Sequence, residues 1–114
     1  MDERRKLERR EIMFYSRVFD RKTGKHLGYL GNLTTGGLMI ISEEAIDDQV
    51  SFELRVELPE DTYRKNVLDI AATSLWCQPD IDPKLFNIGF ELGRTDPEDL
   101  DIIEELVKDF KLRN

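Results

Sequence analysis

Apolar and polar residues alternate along most of this chain with the two-residue period of strands that bury one face. The clearest run is Val50, Phe52, Leu54, Val56 and Leu58, interleaved with Ser51, Glu53, Arg55 and Glu57 and ended by Pro59-Glu60-Asp61. Phe86, Ile88, Phe90 and Leu92 alternate in the same way, and Leu68, Ile70 and Ala72 carry a parity that Ser74 and Trp76 continue. Earlier strands are expected over Ile12–Phe19, His26–Gly31 and Leu38–Ser42. In the first, Ile12, Phe14 and Val18 share one face; in the third, four consecutive apolar residues imply burial on both. Polar, glycine- or proline-bearing segments separate these runs, among them Asp20–Lys25 and Gln78–Pro83.

The period then changes. Asp96 suits a helix N-cap, Pro97 the first helical position, and Glu98 and Asp99 the positive end of the helix dipole. Leu100, Ile103, Leu106, Val107 and Phe110 recur at helical spacing and predict one apolar face. Six short strands followed by one helix predict a mainly β fold: a six-stranded antiparallel barrel whose C-terminal α-helix packs on the sheet or covers a mouth.

Composition narrows the class. The chain has 114 residues, 39% hydrophobic and 36% charged, which fits one soluble domain with a modest core. No apolar run approaches the roughly 20 residues that span a bilayer, and no secretory leader is evident. Cys77 is the only cysteine, so an internal disulfide is impossible and a cytoplasmic setting is expected. Net charge is −7, which disfavours general binding to nucleic acid or an anionic membrane. The charge is uneven: residues 1–26 sum to +4 and residues 27–114 to −11. A locally basic segment on an acidic body suits a small anion better than a long polyanion.

Enzymatic chemistry finds little support. His26, beside a hairpin loop, has no partner constellation, and Cys77 after Trp76 reads as a small packed hydrophobe. Asp80 and Asp82 lack the glycine and distal ligands of a calcium loop. Glu43-Glu44, Asp47-Asp48 and Glu104-Glu105 read as solvated surface. No phosphate loop, zinc spacing or nucleophile elbow is present, and no metal or cofactor is expected.

Two segments remain. Asn32-Leu33-Thr34-Thr35-Gly36-Gly37 joins the second and third strands. Its paired glycines permit sharp bending and close approach, and Asn32 and Thr34 carry short polar side chains for backbone or ligand. A plain bulge or tight corner explains the same residues. The other segment is Arg4-Arg5-Lys6-Leu7-Glu8-Arg9-Arg10, part of a highly charged stretch, residues 1–11, that reads as a flexible arm preceding a barrel at 12–114.

In that order the two resemble the signature of the PilZ domain, a bacterial receptor module for cyclic di-GMP: an RxxxR motif followed by [D/N]xSxxG. Arg5 and Arg9 match the first motif, with Arg4 as the additional preceding arginine. Asn32, Thr34 and Gly37 match the second, Thr34 standing where serine is usual. Ile88 and Gly89 resemble the start of that family's closing-strand pattern, with Leu92 in place of an aromatic. The resemblance implies the same barrel and helix over nearly the whole chain. It also implies a site for cyclic di-GMP formed by Arg4, Arg5, Arg9, Asn32, Thr34, Gly36 and Gly37, with the arm closing over the nucleotide. Arginine's planar, permanently charged fork suits phosphate and the O6/N7 edge of guanine. The chain has no output domain of its own, so the signal is expected to pass to an effector protein; monomer and homodimer both remain open. Two alternatives stand beside this: a PilZ-like protein–protein adaptor that binds no nucleotide, and a small barrel for single-stranded nucleic acid, which the acidic body disfavours.

Overall fold

Period-two patterning produces the strands it predicts, and closure into a barrel gives every inward side chain a partner. The structure is a computed structural model that describes residues 16–60 and 62–113, with side chains as far as Asp109. Among the described residues there are six strands: β1 (Arg17–Asp20), β2 (His26–Leu33), β3 (Gly37–Ser42), β4 (Ser51–Glu57), β5 (Val67–Pro79) and β6 (Phe86–Leu92). They close in the order β1-β2-β3-β6-β5-β4, every neighbour antiparallel. One helix follows, α1 (Pro97–Arg113). The expected six-stranded antiparallel barrel with a C-terminal helix is therefore the observed fold.

Each strand contributes to one core. Val18, Leu30, Ile40, Leu54, Leu68 and Ile88 are at most 2% exposed. Burying an aliphatic side chain of this size stabilises by about 1.5–3 kcal/mol, so this ring contributes on the order of 10 kcal/mol, comparable to the whole net stability of a small domain. Ile102, Ile103 and Leu106 of α1 join the same core. The helix is held from outside by the β4–β5 connection. Lys65 Nζ lies 2.7 Å from Asp99 Oδ1 and 3.0 Å from Glu98 Oε1, while Tyr63 OH donates to Asp109 Oδ2 at 2.6 Å. These bonds raise the Lys65 pKa above its ordinary value, chiefly through Asp99, and Lys65 in turn lowers that of Glu98. Antiparallel connectivity places α1 at the barrel end formed by the close of β4 and the start of β5.

Several expectations change in detail. Of the four consecutive apolar residues of β3 only Leu38 and Ile40 are buried, with Ser42 continuing their parity; Met39 and Ile41 point outward and are half-buried. Leu100 is 36% exposed; the buried helix face is Asp99, Ile102, Ile103 and Leu106, a 3.6-residue stripe rotated from the expected one because the polar Asp99 is buried by its bond to Lys65. Val50 precedes β4 and is exposed; its N–H donates to the buried hydroxyl of Ser74 at 2.9 Å. Of the expected first strand, residues 12–15 lie outside the described residues.

The largest departures come from three β-bulges among the described residues, each inserting one extra residue into a strand. Leu27 is extra against β1, Gly31 against β3, and Leu75 against β6. A bulge reverses the parity of everything after it. Trp76 is the clearest case. Simple alternation aligns it with Ala72 and buried Ser74, yet beyond the bulge it turns to the outer face and is 37% exposed.

Candidate functional site

Asn32 owes its orientation to the bulge at Gly31. Leu30 points into the core, so uninterrupted alternation would bury Asn32 as well; the extra residue turns Asn32 out to solvent and Leu33 in. The Asn32 Oδ1 accepts the Leu33 N–H at 2.9 Å, and its Nδ2 has no protein partner among the described residues. Across the barrel surface, Asn32 pairs with Met39, Met39 with Gly89, and Gly89 with Trp76. Gly89 points outward beneath the indole of Trp76, where even a methyl group would clash with the ring atoms Cε2, Nε1 and Cζ2. Trp76 therefore lies flat across β6. The outcome is a shallow, largely apolar shelf running from Asn32 to an exposed indole.

The turn that follows is a three-residue loop tied by Thr34. Its N–H donates to Gly37 O at 2.8 Å, and its hydroxyl accepts from the N–H groups of Gly36 and Gly37 at 3.3 and 3.1 Å. The same hydroxyl donates back to Gly37 O at 3.3 Å. A hydroxyl has one donor and two acceptor positions, so Thr34 is fully engaged inside the turn. The expectation that paired glycines supply unusual backbone angles is not met. Among the described residues only Gly24 and Gln49 have positive φ, so Gly36 and Gly37 do not. Gly37 answers a steric need instead: a Cβ there would sit 2.5 Å from the Phe90 carbonyl oxygen. Gly36 faces open space, and its carbonyl accepts from Leu92 N–H at 3.0 Å, fastening the turn to β6.

Charge is distributed in a telling way. Strands β2, β3, β5 and β6 contain no lysine or arginine at all. The strand arginines lie on β1 and β4 and pair with acids on the neighbouring strand: Arg17 with Glu57 at 2.7 and 3.0 Å, and Arg55 with Asp69 at the same two distances. Hydrogen bonding from Arg55 holds the Asp69 carboxyl below its usual range. An anion on the Asn32–Trp76 shelf would find no positive charge among these strands. Arg4, Arg5 and Arg9 lie outside the described residues. The described chain begins beside the shelf, however, with Ser16 O accepting from Leu30 N–H at 2.9 Å.

His26 packs against the rings of Phe19 and Tyr29 at centroid distances of 5.2 and 5.0 Å, and Cys77 is half-buried against the core. Asp80 accepts from Asn87 Nδ2 at 3.0 Å and from Asp82 N–H at 3.3 Å, a turn-forming role. Among the described residues no group of His, Cys, Asp and Glu is placed to hold a metal ion, and no helix is long and apolar enough to cross a membrane.

No protein-family model and no curated protein matches the chain. A solved structure does. The Bacillus subtilis inhibitor of motility, MotI/DgrA, superposes with a TM-score of 0.70 over 87% of this chain, at 15% identity. The match covers 47% of that protein, so this chain spans about half the length of its structural neighbour. At that identity the likeness shows a shared fold, the one the PilZ resemblance implies. The neighbour's name is that of a regulator. Trp76 was the residue least legible beforehand; the adjacent Ile88-Gly89, with a glycine at an outward strand position, was the available signal that something large lies across it.

Proposed function

We propose that this protein is a receptor for cyclic di-GMP, not an enzyme, that clamps the nucleotide between its N-terminal arginines and the Asn32–Trp76 shelf and passes the signal to an effector protein. The observation that carries this reading is the shelf itself: an outward amide, an apolar floor and an exposed indole on four strands that carry no lysine or arginine. Arg4, Arg5 and Arg9 supply the missing charge. Six residues lie between Arg9 and Ser16, and the seven Cα steps give a reach of up to about 25 Å. The shelf crosses four strands, about 14 Å, so the arginines reach all of it. Guanine would stack on Trp76 and offer its edge to an arginine, Asn32 would meet the far end of the ligand across the shelf, and Gly36 and Gly37 would leave the turn unobstructed. Resemblance to the paired PilZ motifs and the regulatory name of the structural neighbour point the same way.

Calorimetric titration with cyclic di-GMP, with GTP and cyclic di-AMP as controls, tests the reading. Arg5→Ala and Arg9→Ala should each weaken binding by about tenfold or more, one charge-assisted contact being worth about 1.5–3 kcal/mol, while leaving thermal stability unchanged. Unchanged affinity in both variants would refute the clamp. In the PilZ resemblance an arginine at the Arg4 position accompanies a stacked pair of nucleotides, so saturation at two ligands per protein is expected. A nucleotide-free adaptor is the second reading, and one observation favours it: the Thr34 hydroxyl is already fully used within its own turn. Absence of any cyclic di-GMP binding would select it.

A further inference from the structure

The two ends of the barrel are not alike. One is stoppered by α1, whose Ile102, Ile103 and Leu106 are buried in the core. At the other end lie the close of β1 and β3 and the start of β2, β4 and β6, and there a cavity of about 730 Å³ opens. Its floor is apolar, formed by Leu27, Ile46, Phe52 and Leu85. Leu27 reaches it because the first bulge makes it the extra residue against β1. The rim is acidic on both sides, with Asp20 on the β1–β2 turn and Glu43 and Glu44 on the segment after β3. Lys25 is the one lysine of the lining, and its Nζ meets Glu44 Oε1 at 2.8 Å, bridging the two sides of the mouth. Both partners are more than half exposed, and such pairs are worth about 0–1 kcal/mol, so the bridge opens readily.

We infer that this cavity is a docking site for a segment of another protein that presents apolar side chains flanked by lysine or arginine. The floor demands apolar contact. The rim, with three carboxylates against one ammonium, demands compensating positive charge on either side of it. A small polar ligand is less well served, since the surface the cavity exposes is mostly apolar. The site lies at the opposite end of the β2–β3 hairpin from Asn32, and the inference does not rest on the nucleotide reading.

The test is an NMR titration of the full-length protein with an amphipathic Leu/Lys helical peptide, alongside a Leu/Glu peptide of the same pattern and a Gly/Lys peptide of the same charge. Saturable shifts confined to residues 25–29, 41–46 and 85 are expected with Leu/Lys alone. Reversing the rim (Glu43→Lys with Glu44→Lys) should weaken that binding about tenfold, and Lys25→Ala, which removes the bridge and the only rim lysine, should strengthen it several-fold. Leu85→Asp should abolish it; should that variant misfold, the exposed rim variants still decide. An equal response to Gly/Lys or Leu/Glu, shifts elsewhere on the barrel, or no response overturns the inference. So does binding of indole in the cavity without any peptide binding, which would make it a small-molecule site.

Discussion

Gly37→Ala isolates the contact that closes the barrel beside the proposed site. The added Cβ would lie 2.5 Å from the Phe90 carbonyl oxygen, whereas real Cβ atoms essentially never come within 3.0 Å of another heavy atom. Both groups belong to the backbone of paired strands, since Gly37 opposes Glu91 and Leu38 opposes Phe90. No side chain can swing aside, so β3 and β6 must part by at least about half an ångström. Overpacking of this kind costs about 1–3 kcal/mol. Parting the strands also strains the bond from Leu92 N–H to Gly36 O, worth about 0.5–1.5 kcal/mol net. The sum, about 2–4 kcal/mol, corresponds to a fall in Tm of about 8–15 °C for a domain of this size.

Gly36→Ala is the internal control. Its Cβ meets nothing within 4 Å and its φ is not positive, so stability should hold or rise by up to about 1 kcal/mol as the unfolded chain loses freedom. Paired thermal melts of the two variants, with far-UV circular dichroism to confirm the fold, make the comparison. Should Gly37→Ala melt within about 2 °C of the parent, the steric account of this glycine is wrong. Affinity then separates packing from function: if the nucleotide passes over the turn, Gly36→Ala should weaken cyclic di-GMP binding with Tm unchanged.

Three further outcomes are expected. Gly89→Ala should evict the indole of Trp76 without unfolding the barrel, because the obstructing group is a partly exposed side chain; red-shifted tryptophan emission with near-native Tm would show it, and an unmoved spectrum would contradict it. In the parent, cyclic di-GMP should change Trp76 emission, and emission that stays constant at saturation would remove the indole from the site. Stability should fall on acidification below about pH 5, because the Asp69 and Glu98 carboxyls have folded pKa values below their unfolded ones; the unfolded state then binds more protons, and the stabilisation present above the unfolded values is lost as pH drops through the folded ones. Asp69→Asn should flatten that acid limb, and an unaltered pH profile would exclude Asp69 from it.

Alternation revealed the barrel because its core obeys the two-residue period almost without exception: Leu54, Val56, Leu68, Ile70, Ile88 and Phe90 are all at most 2% exposed. What alternation could not reveal is where the period breaks. A bulge needs no distinctive residue; it is a property of how two strands register, and only the partner strand shows it. Each of the three bulges coincides with a feature of function proposed for this chain. Leu27 enters the acidic-rimmed cavity, Asn32 follows Gly31 onto the outer shelf, and Trp76 follows Leu75 onto its far end. The coincidence has a physical cause. In a closed barrel every in-register side chain is assigned either to the core or to the regular outer rows, so a group can be re-aimed only where the ladder gains a residue. Removing one such residue tests the register: with Leu75 deleted, Trp76 follows Ser74 directly in a regular ladder and should stay on the outer face opposite Gly89 in a folded barrel with its emission unchanged, and a buried indole or an unfolded chain would contradict this.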